Sequence, residues 1–142
     1  MLAKSKRIMR EFWDHTDSWL RGAEEKLDAY CDRHFHKQLM MTCVVRTPKE
    51  NEKEKGEARS KHLLKPSRKW CAIDNRIANE NHSDTSRWLT LEETEELQNY
   101  FYDGIYEKRG DAFVIEDDHF HLQCAVRDKG NDQPYYVIGT VE

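Results

Sequence analysis

Two copies of the sequence HFHxQ place histidines at His34 and His36 and again at His119 and His121. Alternate side chains of a β-strand point to the same face, so the two histidines of each copy would share one face and the phenylalanine between them the other. Imidazole is the side chain whose proton equilibrium lies nearest neutral pH. Two imidazoles on one strand face suit a phosphate or metal site, and these four histidines are therefore the candidate catalytic residues.

Two enzyme families resemble this arrangement. The 2H phosphoesterases carry two His-x-Thr/Ser motifs on strands at a similar separation, with histidines as general acid and base and hydroxyl groups that hold the phosphate. That resemblance implies phosphodiester chemistry at His34 and His119, although His36 and His121 stand at the hydroxyl positions. The chain is also similar to the HUH nucleases, in which one His-hydrophobic-His strand binds a divalent metal. A tyrosine nucleophile of that kind would come from Tyr100, Tyr102, Tyr135 or Tyr136.

The cysteines suggest either a metal site or buried thiols. Cys31, His34 and His36 form a C-x2-H-x-H cluster, but the spacing matches no structural zinc pattern and we expect no cofactor. Fourth zinc ligands for such a cluster would be Cys43, Cys71 or His82. The first residues lack the apolar core of a signal peptide, so we expect reduced thiols in a cytoplasmic protein. Cys43 and Cys124 alternate with apolar residues, and we expect both to be buried.

The net charge of −4 conceals a division of charge along the chain. Residues 1–70 carry 17 Lys and Arg against 11 Asp and Glu, whereas residues 71–142 carry 6 against 16. Two clusters are candidate partner-binding surfaces: a basic one that could hold phosphates, and an acidic one that would suit a basic protein. The basic cluster is Lys61, Lys65, Arg68, Lys69 and Trp70, and the acidic cluster is Asp111, Glu116, Asp117 and Asp118. The alternatives are a solvated loop for the basic cluster and mutual neutralisation of the two halves.

The first half of the chain predicts helix and then strands. Apolar residues at steps of four and three predict helix over residues 4–33, or a pair over 4–15 and 18–33 because the polar residues 16–18 weaken the middle. The predicted core stripe is Met9, Trp13, Thr16, Leu20, Ala23, Leu27 and Tyr30. Strands are predicted over 37–46 and 69–73, with a charged, flexible excursion over 47–67 between them. Residues 74–88, rich in Asn, Asp and Ser, predict a long loop.

The second half predicts one helix and a meander. Thr90 and Glu93 form a capping box before a helix over 91–102. Strands over 112–116, 120–127 and 135–141 would pair in sequence order. The chain is therefore predicted to be a single α+β domain over 1–142, with an antiparallel sheet of about five strands. No apolar run is long enough to span a membrane.

Two functions from different classes follow. Because no complete catalytic set is present, we expect a small non-enzymatic interaction protein, an inhibitor or adaptor that binds a macromolecular partner through charged faces and long loops. The partner would be a protein rather than a nucleic acid, and in size and lack of motifs the chain resembles phage accessory proteins. The alternative is a phosphodiesterase or nuclease built on the two HFH copies, which requires the histidines of both copies to line one cleft. Without such a cleft, these histidines are solvent-facing strand residues.

Overall fold

The structure, a computed structural model, describes residues 1–45, 48–53, 72–106 and 110–123. These ranges contain three helices of at least 10 residues, one helix of 6 residues and five strands. In chain order the elements are β1 (Leu2–Ala3), α1 (Lys6–His15), α2 (Ser18–Phe35), β2 (Met40–Cys43), α3 (Pro48–Lys53), β3 (Ala72–Arg76), α4 (Leu91–Gly104), β4 (Phe113–Ile115) and β5 (His119–Gln123). The predicted α+β class is confirmed.

The strands form one mixed sheet in the order β1-β2-β3-β5-β4. β1 runs parallel to β2, and the other neighbouring strands are antiparallel. The parallel pair was not predicted, because β1 has only two residues and is held by backbone bonds to a distant segment, such as Leu2 N–H to the carbonyl of Leu39 at 2.7 Å. The predicted strand over 135–141, and residues 124–127 of the strand before it, lie outside the described residues.

One face of the sheet is apolar and is covered by α2 and α4. Cross-strand partners share a face, and the register pairs Phe113 with Leu122 and Asn75 with Phe120. All four side chains are buried, and the rings of Phe113 and Phe120 stack with centroids 4.4 Å apart. Phe113 also contacts Phe101 of α4, and Asn75 bonds to a glutamate of α2. The other face of the sheet carries the residues that alternate with these along the strands, among them Asp74 and His121.

The predicted N-terminal helix is a pair, α1 and α2, which is the second of the two predicted arrangements. Asp17 is the N-cap of α2, because its carboxylate accepts hydrogen bonds from the backbone N–H groups of Trp19 at 3.0 Å and Leu20 at 3.3 Å. The break between His15 and Ser18 means that α1 does not continue the helical repeat of α2, so a different face of α1 points to the core. Phe12 is therefore buried, whereas Trp13, which the predicted stripe places in the core, is 46% exposed.

The predicted loop over 74–88 begins later than expected, because residues 74–76 belong to β3. Asp74 and Asn75 are buried there, and each has a distant partner: Asn75 Nδ2 donates to Glu24 Oε1 at 2.8 Å, and Asp74 accepts from His121. Consecutive polar residues are typical of a loop, but Asp74 and Asn75 are stabilised in a strand by partners far away in the sequence.

Helix α4 begins where predicted and ends two residues later. The capping box is confirmed: Thr90 Oγ1 accepts from the N–H of Glu93 at 3.1 Å, and Glu93 Oε1 accepts from the N–H of Thr90 at 2.9 Å. The buried Lys37 donates to the same carboxylate at 2.5 Å and to the carbonyl of Trp88 at 3.2 Å. These bonds join the end of α2 to the start of α4.

Of the charged run over 47–67, the structure describes residues 48–53, which form α3. Glu50 of α3 pairs with Arg7 of α1 at 3.2 Å. The rest of the run, with the basic cluster, lies outside the described residues. No helix in the described part of the chain is long and apolar enough to cross a membrane.

Candidate functional site

Four polar side chains lie side by side on the face of the sheet opposite α2 and α4. The register of β3 and β5 places Asp74 opposite His121 and Arg76 opposite His119. Directly opposed residues share a face, and Phe120, between the two histidines, is buried on the other face. The second HFH copy therefore adopts the predicted strand, and we call Asp74, Arg76, His119 and His121 the polar face.

Asp74 lies between the two histidines of the polar face. Its Oδ1 accepts a hydrogen bond from Nδ1 of His121 at 3.0 Å and lies 3.6 Å from Nε2 of His119. Nε2 of His121 is 2.8 Å from Oε1 of Gln123, and Nδ1 of His119 is 2.6 Å from Oδ1 of Asp118. Only Nε2 of His119 forms no hydrogen bond within the described residues. A carboxylate that is 4% exposed needs such partners, so the network stabilises the sheet and occupies three of the four ring nitrogens.

The first HFH copy does not join the second. Helix α2 continues through Phe35 and ends at His36, which has a left-handed conformation with φ 56° and ψ 42°. The strand predicted over 37–46 therefore begins only at Met40. His34 is exposed on α2 and stacks on Tyr30 with ring centroids 4.1 Å apart. Neither His34 nor His36 lines the cavity beside His119.

A cavity of about 690 Å³ lies between α1 and the polar face. Its walls come from the start of α1, the end of β2, α3, the end of β3 and the turn between β4 and β5. Its volume falls within the range of small-molecule sites. Cys43, which we expected to be buried, is half-buried at this cavity, because the register shift between Met41 and Cys43 aligns it with Asp74. Cys124 lies outside the described residues.

The cavity is lined by four carboxylates and four permanent cations. Arg7 binds two of the carboxylates, Glu11 at 2.7 Å and Glu50 at 3.2 Å. The other two, Asp74 and Asp118, contact the histidines of the polar face. The cavity cations with no ion-pair partner in the described ranges are Lys4, Lys53 and Arg76.

Among the described residues, Arg76 is held by stacking rather than by an ion pair. Its guanidinium carbon lies 5.0 Å from the ring centroid of Trp88, a side chain that is 6% exposed. Arg87 stacks on the same ring at 4.5 Å, and His82 contacts it edge-on at 5.9 Å. A cation–π contact positions a guanidinium without neutralising its charge. Sequence reasoning missed Arg76 and Trp88, because only the tertiary fold brings them together.

Three rings stack on the outer surface where α2 meets α4. Ring centroids are 4.1 Å apart for His34 and Tyr30 and 4.3 Å apart for Tyr30 and Tyr100. His34 is exposed, and both tyrosines are partly exposed. The hydroxyl of Tyr30 donates to Oε2 of Glu96 at 2.7 Å, which raises the pKa of Tyr30 to about 12. We call His34, Tyr30 and Tyr100 the aromatic ladder.

The helix beside the ladder, α4, carries five acidic residues and no basic one. Glu93 pairs with Lys37, but Glu92 and Glu95 are exposed and have no ion-pair partner among the residues described. The helix dipole favours acids in the first turn only, and like charges three or four residues apart repel each other. Glu95 therefore adds negative charge without a stabilising contact among the described residues, whereas Glu96 accepts the hydrogen bond from Tyr30.

The predicted acidic cluster is exposed but divided. Glu116, Asp117 and Asp118 lie together in the turn between β4 and β5, whereas Asp111 lies at the opposite end of β4. Asp118 bonds to His119 and lines the cavity. Only three of the four residues can therefore act as one surface.

The residues of the zinc hypothesis do not converge. Cys31 is buried in the core, where burial raises the pKa of its thiol, while His34 and His36 are exposed. In the described part of the chain, no three His, Cys, Asp or Glu side chains are placed to hold a metal ion. The suggested ligand Cys71 and the basic cluster, Lys61, Lys65, Arg68, Lys69 and Trp70, lie outside the described ranges.

No protein-family model, curated protein or solved structure matches this chain. Function therefore has to be argued from the chemistry of the surfaces and the cavity.

Proposed function

We propose that this protein is a non-enzymatic interaction protein that binds a basic region of a partner protein. The binding surface consists of the aromatic ladder and the exposed acids of α4, Glu92, Glu95 and Glu96. One observation supports the proposal: the stacked rings of the aromatic ladder, which are at least partly exposed, lie beside carboxylates of α4 that have no cationic partner among the described residues. The bond from Tyr30 to Glu96 joins the two groups. An inhibitor or adaptor acting in the cytoplasm would work in this way.

The ladder has the properties of a binding hot spot. Aromatic side chains bury a large area and lose few rotamers on binding, which is why tyrosine is enriched at the centres of interfaces. Tyr30 and Tyr100 already constrain each other by stacking. A partner that covers them would therefore gain apolar contact at a small further cost in side-chain entropy.

The acids of α4 determine the charge of the partner. A guanidinium group can stack on an aromatic ring while it donates hydrogen bonds to a carboxylate. Tyr100 and Glu96 offer these two contacts on one helix. A phosphate backbone would be repelled by the same carboxylates, so the surface favours a protein with exposed Arg or Lys over a nucleic acid.

The phosphodiesterase alternative has less support. A pair of catalytic histidines requires one accessible ring nitrogen on each. His34 and His36 belong to the end of a helix on the other side of the sheet, and both nitrogens of His121 are within hydrogen-bond distance of Asp74 or Gln123. Of the four histidines in the two HFH copies, His119 is the one that lines the cavity.

Affinity capture from an extract of the native host tests the proposal with three baits. These are the unmodified protein, the α4 variant Glu92→Lys/Glu95→Lys, and a control, Glu25→Lys/Glu52→Lys, with the same change of net charge at exposed positions of α2 and α3. We expect a basic protein that the unmodified and control baits retain and the α4 variant loses. Retention of the same proteins by all three baits would contradict the proposal.

A further inference from the structure

We propose that the cavity between α1 and the polar face is a second binding site, which takes the phosphate group of a small ligand. It is distinct from the partner-binding surface, because the cavity lies on the face of the sheet opposite α2 and α4. The proposal is carried by the pairing of charges around the cavity and by the way Arg76 is held.

The carboxylates of the cavity are all engaged. Arg7 binds Glu11 and Glu50, and imidazoles contact Asp74 and Asp118. With neutral histidines the formal charges of the lining balance, so the local pairing decides what the cavity can bind. Among the described residues, Lys4, Lys53 and Arg76 have no carboxylate partner, so these three side chains are the ones that can pair with an anionic ligand.

Arg76 is already positioned to bind an oxyanion. Stacking on the buried ring of Trp88 fixes the guanidinium while leaving its N–H donors for a ligand. His119 is its direct partner across the β3–β5 register, so an arginine and an imidazole point to the same side. A phosphate accepts the paired donors of a guanidinium in a bidentate arrangement.

The size of the cavity indicates more than a bare ion. A space of about 690 Å³ accommodates a small organic molecule. The walls also contain neutral polar side chains, Ser5 and Thr42, that can hydrogen-bond the rest of such a molecule. A phosphorylated metabolite or mononucleotide therefore fits better than inorganic phosphate alone.

Titration of the full chain, followed by amide chemical shifts in NMR spectra, tests the site. The probes are inorganic phosphate, adenosine 5′-monophosphate and a short single-stranded oligonucleotide, each compared with chloride at the same ionic strength. We expect saturable shifts for the first two, with tighter binding of the mononucleotide. If none of the probes gave saturable shifts larger than those of the chloride control, the proposal would be overturned. Tighter binding per phosphate by the oligonucleotide would show that the ligand is a nucleic acid rather than a small molecule.

A pair of matched variants separates the cavity from general charge. Arg76→Gln and Arg87→Gln each remove one positive charge and one contact with Trp88, but only Arg76 lines the cavity. We expect Arg76→Gln to weaken mononucleotide binding at least tenfold, roughly the effect of losing one charged hydrogen bond, and Arg87→Gln to weaken it less than about twofold. Equal weakening by both variants, at unchanged melting temperatures, would refute the assignment.

Discussion

Glu24 is the residue whose replacement should change the pH dependence of stability most. It is fully buried between α2 and the sheet, where its Oε1 accepts from Nδ2 of Asn75 at 2.8 Å. Its Oε2 and the Oδ1 of Asn75 are buried and have no hydrogen-bond partner in the described residues. A proton on Glu24 supplies the missing donor. Burial raises the pKa of Glu24 to about 8, against the opposing effect of the Asn75 bond; the charge of Asp28 adds to the rise, and the N-terminal amine opposes it.

The sign and size of the effect follow from proton linkage. Between the ordinary value of 4.5 and about 8, folded Glu24 keeps a proton that the unfolded chain has released. The free energy of unfolding therefore falls as the pH rises, by about 1.4 kcal/mol per pH unit. The loss is complete above about pH 8 and amounts to several kcal/mol, with about 5 kcal/mol as the upper bound. Glu24→Gln can still accept from Asn75 Nδ2 and carries an amide N–H donor in place of the Oε2 proton without titrating, so it should remove this loss.

Urea unfolding of the unmodified protein and of Glu24→Gln, from about pH 4.5 to about pH 9, measures the effect. We expect similar stability at the acid end and a variant that is more stable by several kcal/mol at the alkaline end. Glu25→Gln, at the exposed neighbouring position, is the control and should follow the unmodified protein. Parallel pH profiles for the unmodified protein and Glu24→Gln would refute the reasoning, because they would mean that Glu24 is ionised and solvated in the fold.

Further predictions concern the contacts that hold α4 in place and the reactivity of the two described cysteines. Lys37→Met should lower the free energy of unfolding in urea by about 1–3 kcal/mol, because it leaves the partly buried carboxylate of Glu93 without its cation. Tyr102→Phe should lower it by about 1–2 kcal/mol, because the hydroxyl serves backbone groups of the strand β4. In the native state a thiol reagent should modify Cys43 and leave Cys31 unmodified, since burial raises the pKa of the Cys31 thiol; peptide mapping by mass spectrometry distinguishes the two.

Matched controls accompany these variants. The control for Lys37→Met is Lys26→Met, which changes an exposed lysine on α2, the helix that precedes Lys37. The control for Tyr102→Phe is Tyr100→Phe, which removes a hydroxyl with no hydrogen bond in the described residues. Each should change stability by less than about 0.5 kcal/mol. A control that costs as much as its test variant, or modification of Cys31 at the rate of Cys43, would contradict the corresponding prediction.

Features that depend on neighbouring residues could be predicted from the sequence, and features that depend on distant partners could not. The capping box of Thr90 and Glu93 needs only adjacent residues, so the start of α4 was predicted correctly. The tripeptide at His34 is identical to that at His119, but the first copy continues a helix and the second pairs with β3. Identical short sequences thus adopt different conformations because the surrounding fold decides.

The same distinction applies to the candidate sites. The acids of α4 and of the turn after β4 were visible as charge in the sequence, and the structure leaves most of them exposed. The network of Asp74 with His121, by contrast, joins residues 47 positions apart. Its recognition needed the register of β3 and β5, which a segment rich in Asn and Asp does not indicate.

The association rate of the partner recovered by the unmodified bait tests the central claim most directly. Rates for the unmodified protein, Glu92→Lys/Glu95→Lys and the control Glu25→Lys/Glu52→Lys would be measured at low and high ionic strength. We expect the α4 reversal to slow association by about tenfold or more at low salt, with a difference that shrinks as salt screens the charges, while the control keeps the rate of the unmodified protein within about twofold. Equal rates for all three proteins, unaffected by salt, would contradict the account.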